Sequence, residues 1–298
     1  MMAVNLVSRV LGMATKGSVG VLGADSLVGV SLLRQLKTAG FEVHAWSRKS
    51  HASDDGCTWH ALGVTQGYPA ALPCWISLAP LPCLPMYFPL MQALGVTQVV
   101  ALSSTSRYTK INSLDHGDRR WAQDLAEAEE RLEHWGTAHA VSTTILRPTL
   151  IYGHGRDQNI ATIIRVLRRF HAFPIVGGGP GLRQPVHADD VAQACLAAAE
   201  RPPSGHQAFN LSGGETLTYQ AMVQRIIKDT GIRGWIIPVP TYLLRFAIRI
   251  LRWLPAYRLY NPAMADRMMQ DLTFSHDEAT STLGFNPRNF KLQAQDLP

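Results

Sequence analysis

The sequence predicts an α/β protein with a doubly wound parallel sheet and a smaller C-terminal α/β lobe. Three observations carry this expectation: short apolar runs alternate with longer helical patterns from residue 18 onward, a glycine-bearing turn follows the first run, and the alternation gives way after Arg147-Pro148 to glycine-rich loops.

The opening unit reads as βαβ, with a strand over 19–22, a helix over 27–39 and a strand over 42–46. Further strands are expected over 74–79, 98–102 and 142–146, separated by helical stretches near 86–94 and over 118–135. Such alternation implies parallel strands joined by crossover helices. Beyond it lie a basic helix over 159–170, a small-residue helix over 190–199 and an irregular tail. Residues 18–150 are therefore expected to form the first domain, and 151–298 a second lobe partly packed back on it. Residues 1–17 are expected to be a poorly ordered extension. Asn5, Ser8 and Arg9 interrupt its apolar run, which makes a poor signal peptide, and Met13 offers an alternative start.

A chain of 298 residues with 46% hydrophobic and 17% charged residues can build an ordinary globular core. Cys57, Cys74, Cys83 and Cys195 form no C-x-x-C pair, which suits free thiols in a reducing, cytoplasmic setting. A net charge of +6 suits an anionic partner: a phosphorylated small molecule, a membrane surface or nucleic acid. Nucleic acid is set aside, because no aromatic-rich basic motif or zinc-type spacing is present. No stretch reaches the ~20 uninterrupted apolar residues that cross a bilayer.

Directly after the first strand stands Gly23-Ala24-Asp25-Ser26-Leu27-Val28-Gly29, a G-x-x-S-x-x-G run entering a helix. The turn needs a residue without a side chain, the backbone must approach a pyrophosphate, and the helix N-terminus offers N–H groups and a positive dipole end. Gly23 and Gly29 suit those roles, with Asp25, Ser26 and Leu27 lining the turn. The alternative is a glycine in an ordinary tight turn. NAD-binding proteins place an acidic residue at the end of the second strand, where this chain has Ser47-Arg48-Lys49. A guanidinium fork grips a phosphate in bidentate fashion, so Ser47 and Arg48 argue for NADP over NAD. A solvated Arg-Lys pair is the plainer explanation.

These features, over residues 18 to about 290, resemble the extended short-chain dehydrogenase/reductase family, in particular its NAD-dependent epimerase/dehydratase group. Ser103-Ser104-Thr105-Ser106-Arg107-Tyr108 looks like that family's serine-rich end of the fifth strand. Leu146-Arg147-Pro148-Thr149-Leu150-Ile151-Tyr152-Gly153 looks like its loop near the nicotinamide, with Pro148 on the cofactor. The run from Gly181 to Ala192 looks like the segment whose arginine, here Arg183, contacts a nucleotide diphosphate. Phe209-Asn210-Leu211 with Ser212-Gly213-Gly214, and Leu283-Gly284-Phe285, fit its C-terminal lobe. The resemblance implies a Rossmann fold, a nicotinamide cofactor and a nucleotide sugar or similar anionic substrate. Ser26 stands where family members usually carry a middle glycine, and its Cβ is expected to crowd the phosphates.

In that family a Y-x-x-x-K pair on the next helix moves the proton during hydride transfer. Aligning Glu129 with the family's helix acid places Trp121 at the tyrosine and Leu125 at the lysine. Neither shuttles protons at neutral pH, and losing a general acid/base costs ~10² to 10⁴ in rate. Ser104 survives as a match to the catalytic serine or threonine, with a strand-end cap as its other role. Tyr108 and Lys110 offer a displaced acid/base pair, since an ammonium near a phenol favours the phenolate; against it stands a structural aromatic beside a solvated lysine. His187, Asp189 and Asp190 are not read as metal ligands, Asp189 or Asp190 being better explained as the cap of the following helix. Glu127 and Arg131, spaced i, i+4, read as surface support.

Residues 243–254 place Arg245, Arg249 and Arg252 at helical spacing beside Phe246, Ile250 and Trp253, a basic amphipathic helix with Tyr242 and Tyr257 at its flanks. It reads either as a packed helix of the C-terminal lobe or as a peripheral contact with the inner face of the membrane. Two functions stay open: an enzyme using NADP(H) or NAD(H) on an anionic substrate, and a cofactor-binding regulatory or scaffold protein without this chemistry.

Overall fold

The first apolar run forms β1 (Ser18–Leu22), buried on both faces from Val19 onward, which is why it is continuous rather than alternating. A tight turn leads into α1 (Leu27–Thr38), and β2 (Glu42–Ser47) returns parallel to β1, with Val19 opposite Val43 and Leu22 opposite Trp46. The structure, a computed structural model, describes residues 16–49, 51–53, 56–62, 68–202, 204–251, 253 and 263–298. Met13 and nearly all of the expected extension lie outside the described residues, as do Arg252, Leu254 and Tyr257.

β3 (Cys57–Ala61) pairs with β2, and β4 (Cys74–Ser77) pairs with β1 on its other side. A 3-10 segment (Leu81–Tyr87) and α2 (Phe88–Ala93) lead to β5 (Gln98–Leu102). The single helix expected near 86–94 is split in this way because Pro82, Pro85 and Pro89 supply no backbone N–H. Next come a short α3 (Ser106–Thr109), the long α4 (His116–Ala138) and β6 (Ser142–Pro148).

After β6 the chain leaves the sheet. It makes β7 (Ile151–Tyr152), α5 (Ile160–Phe170), β8 (Ala172–Val176), β9 (Leu182–Arg183), β10 (Val186–His187) and α6 (Ala188–Glu200). It then returns as β11 (His206–Leu211), parallel to β6. The central sheet has seven parallel strands in the order β11-β6-β5-β4-β1-β2-β3. Strand order reverses between β1 and β4, the point at which open α/β sheets form a ligand crevice beyond their strand ends. The rest of the lobe comprises β12 (Leu217–Thr218), α7 (Tyr219–Thr230), β13 (Trp235–Val239), α8 (Thr241–Leu251), α9 (Ala263–Arg267) and α10 (Asp277–Leu283).

Two apolar layers cover the sheet. Val19, Val21, Leu32, Leu36, Ile76, Val100, Val191 and Cys195 fill the side under α1 and α6. Leu22, Trp46, Trp75, Met91, Val99, Leu125, Leu132 and Trp135 fill the side under α2 and α4. A third cluster around Tyr152, Ile164, Phe173, Met222 and Phe290 holds the C-terminal lobe. Each such side chain contributes about 1.5–3 kcal/mol by leaving water. The four cysteines are free, and Cys83 alone among them is exposed.

The cap of α6 corrects the sequence reading. The helix starts at Ala188, and His187 caps it, its Nδ1 accepting the Asp189 N–H at 3.1 Å. That leaves Nε2 to donate to Asp296 at 3.1 Å. Asp189 and Asp190 sit in the first turn, where negative charge suits the dipole, and both are used elsewhere. Asp189 accepts from Ser31 and Arg34 of α1, and Asp190 accepts from the Arg288 backbone and guanidinium. The helix that follows the glycine turn is thereby tied to the helix that follows Arg183.

Candidate functional site

The turn between β1 and α1 is shaped by two glycines for different reasons. Gly23 has φ +77°, and a Cβ there would meet the Ala79 backbone nitrogen at 2.9 Å. Gly29 lies inside α1, where a Cβ would stand 2.1 Å from the Ala24 carbonyl oxygen, so the turn closes directly on the helix. Ser26 is the N-cap of α1, and its Oγ accepts the Gly29 N–H at 3.1 Å. The hydroxyl is thus spent on the helix, and it satisfies one of the four N–H groups that a helix start leaves open. Leu27 packs partly buried against the core under α1.

Asp25 turns toward the end of β2. Its carboxylate accepts from Ser47 Oγ and, at 2.9 Å, from His51 Nε2. Burial pushes this carboxyl up, but those hydrogen bonds and the charges of His51 and Lys49 outweigh it and hold the pKa below its ordinary 3.8. Arg48 is exposed at the same strand end. Arg156, which the sequence reading missed, reaches over from the loop after β7 and donates to the Asp25 carbonyl at 2.9 Å. Its segment continues through Asp157, whose Oδ1 accepts the N–H groups of Asn159, Ile160 and Ala161 at 2.5–3.2 Å and so fastens the start of α5.

At the ends of β5 and β6 the chain gathers Ser104, Tyr108 and Pro148. Ser104 Oγ accepts the Ser106 N–H at 3.1 Å, and the Pro148 carbonyl accepts the backbone N–H and the hydroxyl of Thr105, each at 3.2 Å. Tyr108 is half exposed, with the Arg107 and Arg147 guanidiniums 5.2 and 5.6 Å from its ring centre. Both arginines converge on Glu129, a buried carboxylate that also accepts from Ser103. Lys110 does not serve Tyr108 as the sequence suggested. Its ammonium lies 2.9 Å from Asp118, which Arg267 also engages. The carboxylate that claims it is eight residues away and was not weighed. On α4, Trp121 is at the surface and Leu125 is buried.

Arg183 is buried, and its guanidinium donates to the carbonyls of Leu182 (2.7 Å), Gln270 (2.8 Å) and Arg267. Burial pushes its pKa down to about 10, which still leaves a cation at neutral pH. It stacks 5.3 Å over the Tyr219 ring and lines a cavity of about 420 Å³. The cavity walls are mostly apolar, from Ile163, Val166, Phe173, Met222, Leu244 and Leu272, with the polar Gln158, Asn159 and Arg267 among them. Gln158 and Asn159 connect it along the chain to Arg156 at the glycine turn. The glycine turn and the cavity are thus joined along the chain by one short segment.

Residues 89–212 match the model of the NAD dependent epimerase/dehydratase family. The chain is similar to the uncharacterized protein y4nG of Sinorhizobium fredii, 30% identical over 176 residues, covering 58% of this chain and 42% of that protein. It is also similar to the UDP-glucose 4-epimerase of Vibrio cholerae, 23% identical over 180 residues, covering 57% of this chain and 51% of that one. The chain thus spans about half the length of these curated relatives. Among solved structures it is similar to MoeE5 in complex with UDP-glucuronic acid and NAD, with a TM-score of 0.63 at 20% identity over 94% of this chain and 96% of that one. That likeness is one of fold.

Proposed function

We propose that this chain, an extended short-chain dehydrogenase/reductase of the epimerase/dehydratase kind, binds a nicotinamide dinucleotide at the turn after β1 and an anionic substrate, such as a nucleotide sugar, in the cavity beside Arg183. The observation that carries the cofactor reading is the cradle itself. A Cβ at Gly23 or Gly29 would strike the backbone of Ala79 or Ala24, so only glycine lets the turn close tightly between strand and helix, the arrangement that presents a helix N-terminus to a pyrophosphate. When bound, the nicotinamide supplies the hydride acceptor or donor. The N–H groups of the first turn of α1, at Leu27 and Val28, would face the pyrophosphate of the dinucleotide, with Gly23, Ser26 and Gly29 shaping the turn and Arg156 beside it.

For the adenosine end we favour NADP(H). The charge of Asp25 is matched by Lys49, which leaves the exposed Arg48 in excess for a 2′-phosphate. Ser104 would orient the reacting oxygen. Tyr108 is the remaining candidate for proton transfer, since Trp121 and Leu125 occupy the places of the family's tyrosine and lysine. The same two residues favour a second reading, a dinucleotide-binding protein without turnover.

Calorimetric titration with NADPH, NADH and a panel of nucleotide sugars, after removal of co-purified cofactor, tests both. Cofactor together with a nucleotide-sugar ligand supports the enzyme; cofactor alone supports the second reading; no dinucleotide binding refutes the site. Arg48→Ala is expected to weaken NADPH at least tenfold more than NADH, about 1.4 kcal/mol. Equal losses for both would remove the phosphate role.

A further inference from the structure

The C-terminal lobe carries an apolar face that the cofactor reading leaves unused. α8 exposes Tyr242 (69%), Leu243, Phe246 (63%) and Ile250, and Trp253 follows directly at 85%. At about 100° per residue the four on α8 fall within one stripe roughly 100° wide, and Trp253, in a turn beyond the helix end, donates its N–H to the Ile250 carbonyl at 3.0 Å. Arg245 and Arg249 lie along one edge of that stripe, and Arg249 is exposed. On the other side of the helix Leu244 packs into the lobe and lines the cavity. The helix is therefore apolar on two faces, and only one of them is covered. Other apolar side chains of the lobe are exposed as well. Trp235 and Ile237 are exposed on β13, and Phe170 is exposed at the end of α5, one residue from the His171 carbonyl that accepts the Trp235 N–H at 3.0 Å.

The charge carried by these segments of the chain is positive. From Gly231 to Trp253 the sequence contains four arginines and no aspartate or glutamate, and residues 160–170 contain three arginines and no acid. Arg245 is paired with Asp266, but Arg169, Arg233 and Arg249 are exposed. Aromatic and aliphatic side chains rimmed by arginine match a bilayer interface with anionic headgroups, where apolar burial and about 1 kcal/mol per cation add together. A second copy of the chain would have to bring its own arginines against these, at a repulsive cost. Among the described residues no helix is long and apolar enough to cross a membrane, so the contact is with one leaflet.

We propose that the exposed face of α8 is a docking surface for an anionic lipid bilayer. The surface is separate from the dinucleotide turn, so the proposal does not depend on turnover. Because Leu244 lies on the opposite side of the same helix, docking places the cavity about one helix diameter, ~10 Å, from the headgroups.

The test is flotation of the full chain, without added cofactor, on vesicles of equal phosphatidylglycerol and phosphatidylcholine and on phosphatidylcholine alone. The protein is expected to float with the anionic vesicles, to be released by salt, and to stay behind with phosphatidylcholine. Phe246→Glu/Trp253→Glu, at two exposed positions, is expected to keep the parent Tm and lower the bound-to-free ratio at least tenfold. Arg249→Glu is expected to weaken binding at low salt while sparing the stripe. Retention of the parent in the soluble fraction, equal flotation of the double variant, or a dimer in sedimentation that the double variant dissolves would each overturn the proposal.

Discussion

Gly29→Ala tests whether the turn is closed by contact rather than by habit of sequence. Gly29 lies within α1, and in an open helix interior the change to alanine is worth about 1 kcal/mol of added stability. Here the added methyl carbon would stand 2.1 Å from the Ala24 oxygen and 2.6 Å from its carbonyl carbon. A carbon and a carbonyl oxygen settle at about 3.3–3.6 Å, so the turn would have to open by more than 1 Å. Ala24 is buried and does not yield freely. Overpacking of that kind costs about 1–3 kcal/mol, which cancels the helix gain and leaves a net loss of up to about 2 kcal/mol. Urea unfolding is expected to show a lower midpoint, and dinucleotide titration of the folded variant a larger loss, because the displaced carbonyl belongs to the turn proposed to receive the phosphates. A midpoint raised by the full gain of about 1 kcal/mol expected at an open helix position would refute the close approach.

Glu129→Gln removes the charge on which Arg107 and Arg147 converge while keeping the side chain's shape. Two cations left beside a buried neutral amide are expected to cost about 3–5 kcal/mol in urea unfolding; a loss under about 1 kcal/mol would mean that solvent screens the cluster. Acidification is expected to destabilise the fold below about pH 4. Burial pushes Asp118, Asp189 and Asp296 up, but hydrogen bonds and neighbouring cations outweigh it and hold all three below their ordinary 3.8. Their stabilisation is therefore present above that value and lost as pH falls through the lower folded values. Asp157, raised by burial, runs the other way and offsets part of the slope. Asp296→Asn should flatten the acid limb of a pH–Tm curve, and an unchanged limb would exclude the His187 contact as a contributor.

Local signals explain what was legible. β1, α1, β5 and β6 are strongly apolar or periodic segments, and the sequence places them within a residue or two. β3 was missed because its five residues, Cys-Thr-Trp-His-Ala, contain no Val, Ile or Leu and set Thr58 and His60 between the apolar ones. It is held by the His44–His60 hydrogen bond of 3.0 Å and by His60 stacked on Trp46, contacts that no local pattern announces. α10 was missed within a tail that read as irregular, although Asp277 and Glu278 in its first turn were a usable signal. At the site, the glycine turn was readable because strand, turn and helix are consecutive. Arg156 and His51 were not, since each reaches Asp25 from a loop more than twenty residues away. Lys110 lies two residues from the Tyr108 phenol in sequence, but its partner, the Asp118 carboxylate, is brought to it only by the fold.

The excursion between β6 and β11 has a consequence for the order in which the protein can be made. A nascent chain that has emerged only as far as β6 presents that strand as the sheet's open edge, a template for any other extended segment. Its own partner, residues 206–211, is synthesised only after the excursion that carries Arg183 and α6. Closing the sheet therefore waits on a long loop, and the rate of that closure falls with the sequence separation it must bridge. A fragment cut after residue 150 is left permanently at this stage, with an edge it cannot pair, and aggregation rather than a stable half-protein is its expected fate.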